Sequence, residues 1–488
     1  MERGWEHKSG DSVFRRPRLK HPHLRRVLGI PALFSAGYGD VGSSIYYALG
    51  IVALVAVGAT PIVLAAAGII YIFNALTYAE GSAMFPEAGG SAAFARHGFN
   101  ELVSFISGWA LMLSYIVTIA ISAYTIPPYL AHFWSSLNDP VVDTGVSMGI
   151  ILFLMFVNVI GIRESSRMNI SFIGIDIATQ VSIIVLGIWL ILAVNPGTLF
   201  QNMFGEGNWP TTEHLIFGIA IAALAFTGVE TVSQIAEEAR HPSVQAPRTY
   251  ILMIITVLAL FAGISIVALS AMTPQELGDP VNGWARDPVA GIAANLPSET
   301  LRTIYSPLVA VLAATILLTA SNAGMMGISR LAFSLASHRQ MPSALSRVHE
   351  RFRTPYISII LFSIIALCVL IPGFFTDRFF TSLGALYAFG SLLTFALAHI
   401  SLLKLRVSEP EIPRPFKLGL NIGSKGREIP ITAALGAVAT VGIWLVIIIV
   451  QPYSRVAGFS WMVVGLIVYY IYRRRAHLPL TGEKEKGM

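Results

Sequence analysis

The chain has 488 residues, of which 55% are hydrophobic and only 12% charged, with a mean hydropathy of +0.68 and a net charge of +6. No soluble domain of this length carries that balance, so composition alone makes it a polytopic membrane protein. The single cysteine, Cys368, excludes a disulfide framework and a cysteine-based metal site.

Residues 1–26 are basic and polar rather than apolar, so no cleavable signal peptide is expected and insertion relies on the first helix. Twelve spans then fit the hydropathy pattern, centred on 28–57, 61–84, 101–127, 146–161, 172–194, 214–236, 249–271, 303–333, 356–373, 380–403, 430–450 and 458–472. None shows the alternation of barrel strands, so an all-α bundle is predicted. The domain order is a basic N-terminus (1–26), a ten-helix core (27–404), a loop (405–429), two more helices (430–472) and a tail (473–488). Of the 33 Lys and Arg residues, all but Arg286, Arg302, Arg378 and Arg455 fall on the termini and the even-numbered loops. This predicts a plasma (inner) membrane protein with both termini cytoplasmic. The same asymmetry, with its attraction for anionic membrane lipid, accounts for the positive charge without a nucleic-acid partner. The outer loop 272–302 contains a stretch, 287–296, suited to a short helix over the outer mouth, while the inner loop 404–429 is proline-rich and basic.

The first span is interrupted by GYGDVGSSIYY at residues 37–47. A carboxylate at bilayer depth is expensive and marks a site. The surrounding glycines and serines suit a locally unwound helix, whose freed backbone groups line a cavity. A second interruption, Phe226-Thr227-Gly228-Val229-Glu230, falls in the sixth span. Paired breaks five helices apart are where inverted-repeat transporters build their midplane sites. Gly37, Gly39 and Gly42 also fit the dinucleotide fingerprint letter by letter, but inside a membrane span that motif has no strand to follow. HExxH and a phosphate-loop Gly-Lys pair are absent from the sequence, so no enzyme and no cofactor is expected.

An ordered set of motifs resembles the amino acid–polyamine–organocation superfamily. Gly42-Ser43-Ser44-Ile45-Tyr46 resembles its first-helix motif, followed by Pro86-Glu87-Ala88-Gly89-Gly90, Gly108-Trp109-Ala110-Leu111 and Gly161-Ile162-Arg163-Glu164-Ser165-Ser166-Arg167. Further on come Phe226-x-Gly228-x-Glu230, Glu237-Glu238-Ala239-Arg240-His241-Pro242, Ser321-Asn322-Ala323-Gly324 and Ser329-Arg330. The resemblance implies a LeuT-like fold, a five-plus-five inverted repeat with helices one and six broken, plus two C-terminal helices. It puts the backbone of Gly42, Ser43 and Ser44 at a substrate carboxylate, in keeping with anion binding at half-helix N-termini. The carbonyls near Phe226, Thr227 and Gly228 would take the substrate ammonium. Phe226 either closes over the substrate or packs in the core.

Asp40-x-x-Ser43-Ser44-x-x-Tyr47 also resembles the first helix of potassium–proton symporters in the same superfamily. Tyr115 and Thr118 in span three and Tyr387 in span ten resemble their counterparts there, with Ser114 standing where that group has an aspartate. Asp40 therefore reads either as a cation or proton site or as a cap on broken-helix N–H groups. Glu230 either coordinates or shuttles a cation or pins the second half of span six. Asp176 has three readings. It binds sodium with Thr319 and Ser321, it titrates as a proton site, or it reaches water by snorkelling at the cytoplasmic edge. Glu80 reads as structural, and Arg330 as the partner of an acid in the inner gate.

The function expected is a secondary transporter carrying an amino acid with H+ or Na+. The alternatives are a potassium–proton symporter, with K+ as substrate, and then a polyamine importer. Its expected partners are a small-molecule or ion substrate and membrane lipid, as a monomer or homodimer.

Overall fold

The computed structural model describes residues 26–161, 166–192, 194–376, 379–423 and 428–481. Most of the basic N-terminus, the end of the tail and residues 162–165 of the span-five entry motif lie outside these. Among the described residues, eleven helical stretches are long and apolar enough to cross a bilayer, so the chain is an integral membrane protein.

The first stretch, Ile30–Met84, has 55 residues. A straight helix of that length would reach roughly 80 Å, far beyond a hydrocarbon core of about 30 Å. The chain turns instead at Val57–Ala59, where Val57 adopts φ +49°. The Thr60 hydroxyl donates to the Val57 carbonyl at 2.6 Å, and Pro61 begins the next helix with a preset φ.

Burial separates the helices that build the centre from those that face lipid. In the Glu101–Leu130 helix 83% of the most apolar segment is buried, against 28% for Pro140–Ile160, Ile431–Val450 and Pro452–Arg475. Thr212–Gln234 and Phe379–Ser408 join the central group. Gly324 and Gly327 of the Glu299–Ser337 helix let it lie directly against Ile119 and the Tyr115 ring of the Glu101–Leu130 helix.

The fourth span starts at Pro140, six residues ahead of its predicted limit. Asp139 caps it by accepting from the Val141 and Val142 N–H groups, and Asp143, left outside the predicted span, is buried in its first turn. The outer loop carries the expected short helix, at Pro288–Ala294. The all-α expectation needs one small correction: Asn421–Ile422 and Ile429–Pro430 pair as antiparallel strands within the inner loop. That loop is held by Glu80, whose carboxylate accepts two bonds from Arg406, at 2.7 and 2.6 Å, and one from the Leu418 N–H at 2.8 Å.

Candidate functional site

The first interruption does not unwind. Gly42–Ser44 tightens into a 3-10 turn that keeps helical dihedrals, and the Gly42 N–H donates to the Tyr38 carbonyl. The expected set of free N–H groups at 42–44 is thus incomplete here, because a 3-10 turn satisfies backbone groups that an open break would release. The Tyr38 ring lies over Gly42, where an added Cβ would come within 2.6 Å of it. Ser43 Oγ donates to the Asp40 carbonyl at 2.7 Å, and Ser44 Oγ and Tyr47 Oη share a bond of 2.9 Å.

The sixth-span interruption is a true break. The helix Thr212–Ala222 passes through a 3-10 turn at Ala223–Phe226, Thr227 is extended with ψ 160°, Gly228 takes φ +98°, and helix resumes at Thr231. The Thr227 hydroxyl turns back to the Leu224 carbonyl at 2.7 Å. Glu230 Oε2 accepts from the Gly228 N–H at 3.1 Å.

Gly228 is where the two interruptions meet. A Cβ there would stand 2.7 Å from Asp40 Cγ and 3.0 Å from the Val41 nitrogen. Asp40 does not cap helix N–H groups. One of its oxygens, Oδ2, accepts the Thr231 hydroxyl, and the other, Oδ1, is buried with no hydrogen-bond partner. The sequence motif placed Asp40 and Glu230 in separate spans; the fold brings both carboxyls to one glycine. Gly228→Ala is therefore expected to abolish transport. It forces a left-handed residue, costing about 1–2 kcal/mol, and pushes the two interruptions apart. Uptake and size-exclusion profiles of the variant check this, with Gly174→Ala, whose Cβ meets nothing within 4 Å, as the benign comparison.

Phe226 belongs to the core in this conformation, stacked on Tyr71 at 5.3 Å and leaning on Phe261 at 5.0 Å. The break leaves its ring on the side facing spans two and seven. Thr118 Oγ1 is occupied by the Ser114 carbonyl at 3.0 Å. Tyr115 and Tyr387 are buried.

Asp176 corrects two expectations. It is fully buried rather than at a wet edge, and the fold does not join it to Thr319 or Ser321. Their hydroxyls donate to the Thr315 and Ile119 carbonyls, at 3.0 and 3.1 Å. Asp176 instead accepts from Tyr38 at 3.1 Å, from Gln180 at 2.7 Å and from Tyr46. Tyr38 and Tyr46 flank the 42–44 turn, so one carboxyl on span five holds both parts of span one. Sequence reasoning missed Tyr38, Tyr46, Gln180 and Thr231. Two tyrosines flanking the interruption, eight residues apart, were the available signal, since buried phenols need partners.

Both ends of this region are closed. At the end nearer the N-terminus, the Val27 and Leu28 N–H groups donate to the Glu238 carbonyl, at 2.9 and 3.0 Å, and the Arg240 N–H donates to the Leu28 carbonyl at 2.9 Å. Arg330 pairs with an acid, Glu238, at 3.0 Å. Beside them burial pushes Glu87 up, but His97 and Arg96 outweigh it and hold the carboxyl at about 2. At the opposite end, Arg286 of the 272–302 loop pairs with Asp143 and lies 4.5 Å over the Tyr124 ring.

The charges divide cleanly. Among the described residues, the buried or half-buried arginines are matched: Arg96 with Glu87, Arg406 and Arg414 with Glu80, Arg473 with Glu101, Arg286 with Asp143 and Arg330 with Glu238. Asp40, Glu230 and Asp176 have no basic partner among the described residues; their neighbours are hydroxyls, an amide and a backbone N–H.

Comparison with known proteins follows the same line. The amino acid permease family matches residues 28–472. The branched-chain amino acid permease BcaP of Bacillus subtilis is 25% identical over 486 residues, covering 93% of this chain and 94% of its own length. The methylthioribose transporter of the same organism is 27% identical over 485 residues, covering 94% and 96%. The mitochondrial cationic amino acid transporter 3 of Arabidopsis thaliana is 25% identical over 423 residues, covering 83% and 66%. With a helical membrane architecture and a match along nearly its whole length, the chain belongs to the amino acid permease family.

Proposed function

We propose that this permease is a secondary active transporter that takes up an amino acid together with H+ or Na+ by alternating access. The observation that carries the coupling is Asp40: a buried carboxyl with one free oxygen, set against Gly228 and Glu230, with no basic residue to balance it. A buried anion without a partner is costly, so a proton or a small cation at that oxygen stabilises the closed site. Relatives named as carriers of branched-chain and cationic amino acids support the amino acid as solute.

Counting Ile30–Met84 as two spans at its Val57 turn makes twelve. The interruptions then fall in the first and sixth, as a five-plus-five inverted repeat followed by two helices requires. The substrate carboxylate is assigned to the 42–44 turn, which opens by releasing the Gly42 N–H, and the ammonium to the carbonyls around Phe226–Gly228. Asp176 is a second candidate for the coupling proton, acting through Tyr38 and Tyr46. Both termini lie in the cytoplasm and the membrane is the plasma membrane.

Proteoliposome uptake tests this reading, comparing an amino acid panel and potassium under imposed proton and sodium gradients. Gradient-driven uptake of a free amino acid is expected, with its amidated form competing poorly. Potassium flux without amino acid flux would replace the reading with the potassium–proton symporter.

Orientation has its own test. On a Cys368→Ser background, Asn282→Cys should be modified by an impermeant maleimide from outside, and Ile422→Cys only after permeabilisation. Position 282 is preferred to its neighbour Gly283, where a side chain would collide with the Glu276 and Asp279 carbonyls. The reverse pattern would invert the topology.

A further inference from the structure

The loop between the Glu299–Ser337 and Tyr356–Phe374 helices has no part in the site above, yet it is rigidly built. The His349 N–H donates to the Thr354 carbonyl at 2.8 Å, and the Arg353 N–H returns to the His349 carbonyl at 2.9 Å. The His349 ring fills the turn: Nδ1 accepts from the Arg351 and Phe352 N–H groups, at 3.2 and 3.3 Å. That fixes the ring proton on Nε2 as a donor. The loop is pinned from both sides, by Thr354 Oγ1 to the Val159 carbonyl at 2.7 Å and by Ser358 Oγ to the Leu345 carbonyl at 2.8 Å.

This scaffold holds three exposed guanidinium groups, Arg347, Arg351 and Arg353, within seven residues. Arg353 is kept at φ +58°, a backbone region that side-chain-bearing residues rarely adopt. Among the described residues none of the three pairs with an acid. Arg347 lines a cleft of about 400 Å³ together with Val348, His349, Glu350 and Tyr356, and Arg351 and Arg353 follow in the same loop. Below it the Tyr356–Phe374 helix enters the membrane, and its first turns present Ile360, Leu361 and Ile364 to lipid, at 36%, 42% and 48% exposure. An arginine-rich loop beside a cleft thus runs directly into an apolar, lipid-facing stripe.

We propose that this cleft binds the headgroup of an anionic phospholipid of the cytoplasmic leaflet, its acyl chains lying along Ile360, Leu361 and Ile364. Guanidinium forks match phosphate oxygens two at a time, and the His349 Nε2–H supplies a neutral donor. Glu350 on the rim selects for a phosphodiester with further donors, such as glycerol hydroxyls, over a second carboxylate. A soluble phosphate would meet the arginines but leave the apolar stripe uncovered, so the two chemistries together single out a lipid. Basic pockets at the cytoplasmic ends of membrane helices favour such headgroups in general. The assignment rests on the proposed orientation and not on the transported solute.

The test is native mass spectrometry of the full-length protein released from nanodiscs of equal phosphatidylglycerol and phosphatidylcholine. Wild type is expected to retain phosphatidylglycerol over phosphatidylcholine by about tenfold. The triple variant Arg347→Gln, Arg351→Gln, Arg353→Gln should fall to within about twofold, and the outer-loop control Arg302→Gln should match wild type. Arg347→Gln alone lies outside the hydrogen-bonded turn and should lose part of the preference even if the triple variant misfolds. Equal retention of both lipids by wild type, or full preference in Arg347→Gln and in a folded triple variant, would overturn the proposal. So would displacement of the retained lipid by millimolar inorganic phosphate.

Discussion

Asp40→Asn is expected to bind amino acid but no longer to concentrate it. In the proposed cycle a substrate carboxylate docks at the 42–44 turn, two to four residues from Asp40. Two like charges about 5 Å apart repel by about 3 kcal/mol at an effective dielectric of ~20, worth about a hundredfold in affinity. Asp40 must therefore carry a proton or a cation when substrate enters, and its free Oδ1 is the place for it. Asparagine keeps the shape and the Thr231 contact but is neutral at every pH. Wild-type affinity should weaken as rising pH ionises Asp40, or require sodium. The variant should bind within about threefold of the best wild-type value and be indifferent to both. With no ion to carry, accumulation in proteoliposomes should fall to simple equilibration. Binding that still follows pH or sodium, with accumulation intact, would move the coupling to Glu230 or Asp176. Loss of potassium-dependent growth rescue in an uptake-deficient bacterium, with no amino acid flux by the wild type, would establish the potassium reading instead.

Much of this was legible in the sequence because its signals are local. Hydropathy and Gly/Pro punctuation locate the helices to within about two turns, and the Gly228 break follows from one glycine needing φ +98°. Intramembrane acids announce themselves by cost. What the sequence hides is which groups meet. Asp176 and Tyr38 are 138 residues apart and Asp40 and Thr231 are 191 apart, so neither pairing has a periodicity to betray it. The mild form of the first interruption was also hidden. A 3-10 turn and an open break draw on the same glycines and serines, and the choice depends on the Tyr38 ring packed over Gly42. Asp143 was missed for a related reason. An acid near a helix start reads as solvated until a distant arginine is seen to cover it.

That arginine supplies the second large effect: Arg286→Ala is expected to loosen the outer lid. Ala285 presses its backbone onto Gly50 of span one, and a side chain at Gly50 would overlap the Ala285 carbonyl. The next residue, Arg286, donates to the Tyr124 carbonyl at 3.3 Å and pairs with Asp143, which is fully buried. The lid thus bridges span one to the Glu101–Leu130 and Pro140–Ile160 helices through one guanidinium. Removing it strands a buried carboxylate, a change that typically costs 3–5 kcal/mol, and opening the lid is the way to rehydrate that group. On a Cys368→Ser background, Ser44→Cys should react with an impermeant reagent from outside at least about tenfold faster once Arg286→Ala is added. Adding Asp143→Ala should bring the rate back toward wild type, because no buried charge then remains. The same lid carries Asp287, whose carboxyl is pushed up to about 7 by burial, against the pull of Arg286. A carboxyl at about 7 when closed and about 4 when solvated favours the closed lid fully at low pH and progressively less as pH rises through 7. Labelling, once corrected for the thiolate fraction of the cysteine, should therefore quicken between about pH 5 and 8 in wild type, and this corrected slope should flatten in Asp287→Asn. A rate that ignores both Arg286→Ala and pH would show that the lid is held by the Gly50 contact alone.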